Sequence, residues 1–256
     1  MKIKNLFIIF TATLFLTSCE IVQEIKFNED GSGKYSLGID MSEMMKMGGS
    51  SKSDSTNQQI DTLIVFSKML EEKKDSIAKL SKEDQKKIAF LKDFELYIKA
   101  DSISKQLKMN IGYHFKNITD LERFHEKLSG QNIKELDIFK GKLKPKSEKK
   151  SSKKDDFPNF NEHYITTFSR KKFTRKITAR GIEKALKEKD TSMKKDNPMA
   201  DMIRFKQRFT FPYKIKSVSN ENTRILPDFK GIEQEANMYD LNYNPSFFDV
   251  VIEFEE

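Results

Sequence analysis

The chain has 256 residues, 34% of them charged and 37% apolar, with 21 phenylalanines, no tryptophan and a net charge of +8. That balance describes a polar globular protein packed on phenylalanine, and it excludes a multispanning membrane protein, which needs repeated runs of about 20 apolar residues. A single cysteine excludes an internal disulfide framework, and the excess of cations admits anionic partners.

Residues 1–18 read as a targeting segment. Lys2 and Lys4 supply the positive start, and residues 6–16 form an apolar run too short to span a bilayer. Leu16-Thr17-Ser18-Cys19 follows, and it resembles the lipobox of bacterial lipoprotein signals. The resemblance implies cleavage between Ser18 and Cys19 and fatty acylation of Cys19. The one cysteine thus has one chemical role, and the mature chain is expected to be anchored to a membrane rather than to span it. Loss of Lys2 and Lys4 lowers the net charge to about +6, which in most proteins of this size reflects solubility alone. Residue 20 is Glu rather than Asp, which favours the outer membrane of a Gram-negative cell envelope. Nucleic acid is not an expected partner there.

The rest, 19–256, is expected to be a single α+β domain: an antiparallel sheet of about six to eight strands with amphipathic helices on one face. Ile21, Ile25 and Phe27 alternate with polar residues, residues 28–33 carry the turn signal Asp30-Gly31, and Tyr35, Leu37 and Ile39 alternate again. These make a hairpin that starts directly at the anchor. A short helix is expected over 40–47 and a polar loop over 48–57. Ile60, Leu63, Ile64, Phe66, Leu70, Ile77 and Leu80 recur at helical spacing and predict one or two helices; 81–91 predicts another.

Leu107, Met109, Ile111, Tyr113 and Phe115 give the clearest strand. Thr119-Asp120-Leu121-Glu122 has the form of a capping box with Thr119 as N-cap, opening a helix that Gly130 can end. Residues 142–158 are rich in Lys, Ser and Glu and predict an exposed, unstructured insertion. Tyr164, Thr166 and Phe168 pair with Phe173 and Ile177 across a turn at Arg170-Lys171. A helix follows over 181–190, then strands at 203–211, 215–218 and 248–254.

No catalytic constellation appears. Residues 28–33 lack the acidic first and last ligands of a calcium loop, which fall on Lys26 and Leu37. Gly33-Lys34 leads into Tyr35 rather than Ser or Thr, and His114, His125 and His163 lack zinc-ligand spacing. No serine lies in a Gly-x-Ser-x-Gly elbow. The expected protein is therefore not an enzyme and holds no metal or cofactor.

Two features point to binding. Lys142, Lys144, Lys146, Lys149, Lys150, Lys153 and Lys154, followed by Arg170, Lys171, Lys172, Arg175 and Lys176, could meet an anionic surface, each charge contributing about 1 kcal/mol. A solvated loop is the plainer account. Met41, Met44, Met45 and Met47 could form an adaptable apolar surface, although core packing is the commoner use of such a cluster.

Residues 19–40 and the stretch 209–220, Phe-Thr-Phe-Pro-Tyr-Lys-Ile-Lys-Ser-Val-Ser-Asn, together resemble the LppM-type lipoproteins. Those pair a lipidated cysteine with an early strand, a D-G-S-G turn and a late aromatic-Pro strand. The chain departs from them in having no C-terminal transmembrane helix and a Lys-rich middle. The resemblance implies an α+β lipoprotein domain that handles envelope lipids or glycolipids, and it carries over no catalytic residues. The expected function is a non-enzymatic lipid- or glycolipid-binding module of the envelope. A structural partner in an envelope complex is the second reading, and a hydrolase of envelope polymers the third.

Overall fold

The computed structural model describes residues 19–47, 59–122, 124 and 163–255. The expected α+β class is what the chain forms, but the described residues build two sheets rather than one.

β1 (Cys19–Phe27) and β2 (Gly33–Asp40) form the expected hairpin, with Ile25 opposite Tyr35. Gly31 takes φ +82°, and Asp30 Oδ1 accepts from the Ser32 N–H at 3.0 Å, closing the turn. α1 (Ser42–Met47) follows as expected. β3 (Gln59–Val65) corrects the expected helix there. Ile60, Leu63 and Ile64 fit a helical period, yet the β-branched set Ile60, Thr62, Ile64 and Val65 favours the extended chain once a partner strand exists. That partner is β4 (Phe94–Asp101), itself unexpected, in which Phe94, Leu96 and Ile98 alternate and are buried.

Between them lie α2 (Phe66–Glu72), α3 (Lys74–Ile77) and α4 (Lys82–Ala89). β5 (Gln106–Phe115) pairs with both β4 and β2. α5 (Ile118–Glu122) is capped by Asn117, not Thr119: the Asp120 N–H donates to Asn117 Oδ1 at 2.9 Å. Asn117 precedes the helix with its side chain free to accept, whereas Thr119 lies inside it. The predicted end at Gly130, the insertion over 142–158 and the loop over 48–57 lie outside the described residues.

β6 (Tyr164–Phe168) and β7 (Lys172–Ile177) pair as expected, followed by α6 (Ala179–Lys187) and β8 (Ile203–Thr210). The chain then adds β9 (Ile215–Val218), β10 (Thr223–Ile225), β11 (Gly231–Asn237), α7 (Met238–Tyr243) and β12 (Val250–Phe254). Neither β10, β11 nor α7 was expected.

The larger sheet has eight strands in the order β10-β11-β8-β1-β2-β5-β4-β3. It is antiparallel except that β1 and β8 run parallel, which corrects the all-antiparallel expectation. The second sheet, β6-β7-β12-β9, has four antiparallel strands. Phenylalanines join the two. The Phe27 ring on β1 lies 4.5 Å from Phe168 and 5.7 Å from Phe173, and Phe173 lies 5.0 Å from Phe209 on β8. The opposite face of the large sheet is polar. There Arg208 bridges Glu24 and Glu233, Arg224 also reaches Glu233, and Lys206 holds Glu20.

Candidate ligand-binding cavity

Toward the Cys19 end of β1 and β8, the inner face of the large sheet parts from the elements that cover it and leaves a cavity of about 300 Å³. Its floor is Ile21 and Gln23 on β1 with Phe205 and Gln207 on β8; in register, Ile21 faces Phe205 and Gln23 faces Gln207. Tyr164 and Ile177 form one wall, α6 forms the roof, and Leu241, Pro245 and Phe248 close the rim. The lining is mostly apolar, and the volume falls at the lower end of small-molecule sites, about 300–1,000 Å³.

The roof is held by its ends. Thr178 Oγ1 caps α6 by accepting from the Gly181 N–H at 3.0 Å, and the Thr178 N–H donates to the His163 carbonyl at 2.7 Å. Gly181 is required by this approach, since a Cβ there would lie 2.6 Å from His163 Cβ. Beyond α6, the Asp190 N–H donates to Asn242 Oδ1 and Tyr243 donates to the Met193 carbonyl, tying the following loop to α7.

Behind the Tyr164 wall sits Arg175, fully buried, its guanidinium 4.2 Å from the Tyr164 ring centroid and donating to Thr166 Oγ1 at 3.0 Å. Burial brings its pKa down to about 10, so it stays charged at neutral pH. The sequence grouped Arg175 with surface cations; strand parity instead turns it inward between Phe173 and Ile177. Burial likewise raises the Asp249 carboxyl, which accepts from the Ile177 N–H at 2.8 Å.

The floor carries buried amides in a row. Gln23, Gln207 and Gln234 are neighbours across β1, β8 and β11, and all three are buried. Gln207 Oε1 and both amide atoms of Gln234 have no hydrogen-bond partner among the described residues. Such groups cost about 1–3 kcal/mol each when left unsatisfied. Sequence reading missed them because glutamine in a strand normally marks the solvent face. The available signal was parity: Gln23 stands between Ile21 and Ile25, and Gln207 between Phe205 and Phe209, both on the apolar side.

Cys19, the lipidation candidate, heads β1 opposite Ile203 and is buried; burial, then the charge of Asp40, lifts its thiol pKa to about 11. It shares the inner face with Ile21, about 7 Å further along the strand. Ser18 lies outside the described residues, as do Lys149, Lys150, Lys153, Lys154 and His125. Arg170, Lys171 and Lys172 are exposed at the β6–β7 turn, next to Phe168, which stacks on Phe27. That turn is therefore at the opposite end of β1 from Cys19, about 27 Å away by strand rise. Met41 is in the core, Met45 packs against it and Met44 is exposed, so the cluster is split. His114 is on the polar face 3.3 Å from Glu95.

The fold and cavity define an α+β domain of two facing sheets with an apolar chamber near the start of its first strand. No family model matches the chain, and no curated protein matches it. Among solved structures it is similar to the NMR structure of the folded domain of LppM from Mycobacterium tuberculosis, with 8% identity, a TM-score of 0.35, and coverage of 93% of this chain and 90% of that one.

Proposed function

We propose that this is a lipid-anchored, non-enzymatic module of the cell envelope that holds a lipid or glycolipid in the cavity between the large sheet and α6. The observation that carries the reading is a mostly apolar chamber of about 300 Å³ with a buried amide, Gln207, on its floor. Apolar walls with a few placed polar groups suit a ligand that is mostly hydrocarbon. Native mass spectrometry after exposure to a total membrane-lipid extract is expected to show one bound lipid. Ala185→Trp, which fills the chamber from α6, is expected to abolish that adduct while leaving the melting temperature within a few degrees. An empty wild-type protein overturns the reading.

The anchor is a separate part of the proposal. Cys19 opens β1 without a tether, so acylation there would hold the domain and its cavity against the bilayer, in the outer membrane of a Gram-negative cell. Cys19→Ser is expected to abolish metabolic labelling with a fatty acid; a labelled variant would refute the assignment. A role as structural partner in an envelope complex is the second reading, favoured by Leu63, 62% exposed on the edge strand β3. A stably co-purifying protein would support it.

A further inference from the structure

Resting on the lipid-holding reading above, we propose that the cavity takes a single-chain lipid whose polar group is an uncharged hydroxyl, docked head-inward on Gln207. The order of residues along the floor sets the direction. From the Cys19 end, Ile21 and Phe205 come first, then Gln23 and Gln207, and then Ile25 and Phe209, which are 1% and 0% exposed and belong to the sealed core. The amides therefore stand at the inner end of the chamber, and the apolar pair stands nearer the end that bears the lipidation site. A ligand that satisfies both lays its hydrocarbon over Ile21 and Phe205 and its polar group against Gln207.

The chemistry of the floor selects the polar group. Gln207 is 4% exposed, lines the cavity and has its Oε1 without a partner. A carboxylate or phosphate entering that space would need a cation on the floor, because a buried charge without one is strongly disfavoured. None stands there. Lys206 has its ammonium held by Glu20 at 2.5 Å on the other face of the sheet, and Lys184 and Glu188 are on the exposed roof. Arg175 is screened from the chamber by Tyr164 and bonded to Thr166. A hydroxyl both donates and accepts, so it complements a primary amide whichever way round the amide is placed. With about 300 Å³, the chamber has room for one chain rather than two.

The test uses the full chain in amphipol and three probes of one chain length: monomyristoylglycerol, methyl myristate and myristate, each titrated by native mass spectrometry. Monomyristoylglycerol is expected to bind at least about tenfold more tightly than methyl myristate, the factor one satisfied buried hydrogen bond supplies. Gln207→Met, which removes the amide at similar volume, is expected to equalise the two. Equal binding of the probes by the wild type, or tightest binding of myristate, overturns the hydroxyl assignment and leaves the lipid-holding reading intact. Binding of no probe and no extracted lipid overturns both. Should Gln207→Met lose its cooperative melting transition, the ranking of the three probes on the wild type decides by itself.

Discussion

Phe27→Ala is expected to lower the stability of the fold by about 3–5 kcal/mol, with a fall in Tm of about 10 °C. Phe27 is 2% exposed and is the point where the two sheets meet. Its ring stacks on Phe168 at 4.5 Å, meets Phe115 edge-on at 5.7 Å, and lies 5.9 Å from Phe211. Alanine removes the ring from all of these at once. The neighbours are other rigid rings on strands paired elsewhere, so the gap cannot close and the full cavity penalty applies. Because native domains are stable by only about 5–15 kcal/mol, a loss of this size is a large share of the total. Urea unfolding followed by circular dichroism measures it; a loss below about 1 kcal/mol would mean that the sheets are held together by something other than this cluster.

Glu233→Gln should remove about 2 kcal/mol at neutral pH and flatten the acid limb of the stability curve. Glu233 is 7% exposed on the polar face of β11, where it accepts from Arg208 Nη2 at 2.6 Å and Nε at 3.1 Å and from Arg224 Nη2 at 2.5 Å. Burial pushes its pKa up, but the hydrogen bonds from Arg208 and Arg224 and the nearby charges outweigh that and hold it below the ordinary 4.5. A carboxyl with a depressed folded-state pKa binds its proton more readily in the unfolded chain. Its contribution is therefore complete above about pH 4.5 and disappears as pH falls through the lower folded-state value. The difference in unfolding free energy between wild type and Glu233→Gln should be constant near neutrality and shrink in acid. A difference independent of pH down to about 3 would show that the ionised carboxylate is not what Arg208 and Arg224 stabilise.

Much of the sheet was legible in the chain. The alternating runs ending at Phe27, Ile39, Phe115 and Phe254 became strands, and Asp30-Gly31 became their turn, because burial of one sheet face imposes a period of two on the sequence. Where that period was broken by a polar residue or coincided with a helical one, reading failed. β11 offers only Ile232 and Ala236 inward, with Gln234 between them, and so carries almost no apolar signal. β3 is an edge strand whose identity depends on pairing with β4, a contact no local window contains.

The sequence by itself determined the α+β class and the β1–β2 hairpin, since alternating apolar runs and the Asp30-Gly31 turn are written in neighbouring residues. Only the tertiary structure decided the rest. The parallel pairing of β1 with β8 brings Ile21 beside Phe205 and Gln23 beside Gln207, residues far apart in the chain. That contact, with α6 set across it, creates the chamber. It also buries Arg175, which composition alone would leave on the surface. A cavity is a property of faces that do not quite meet, and no one strand encodes which face it will meet.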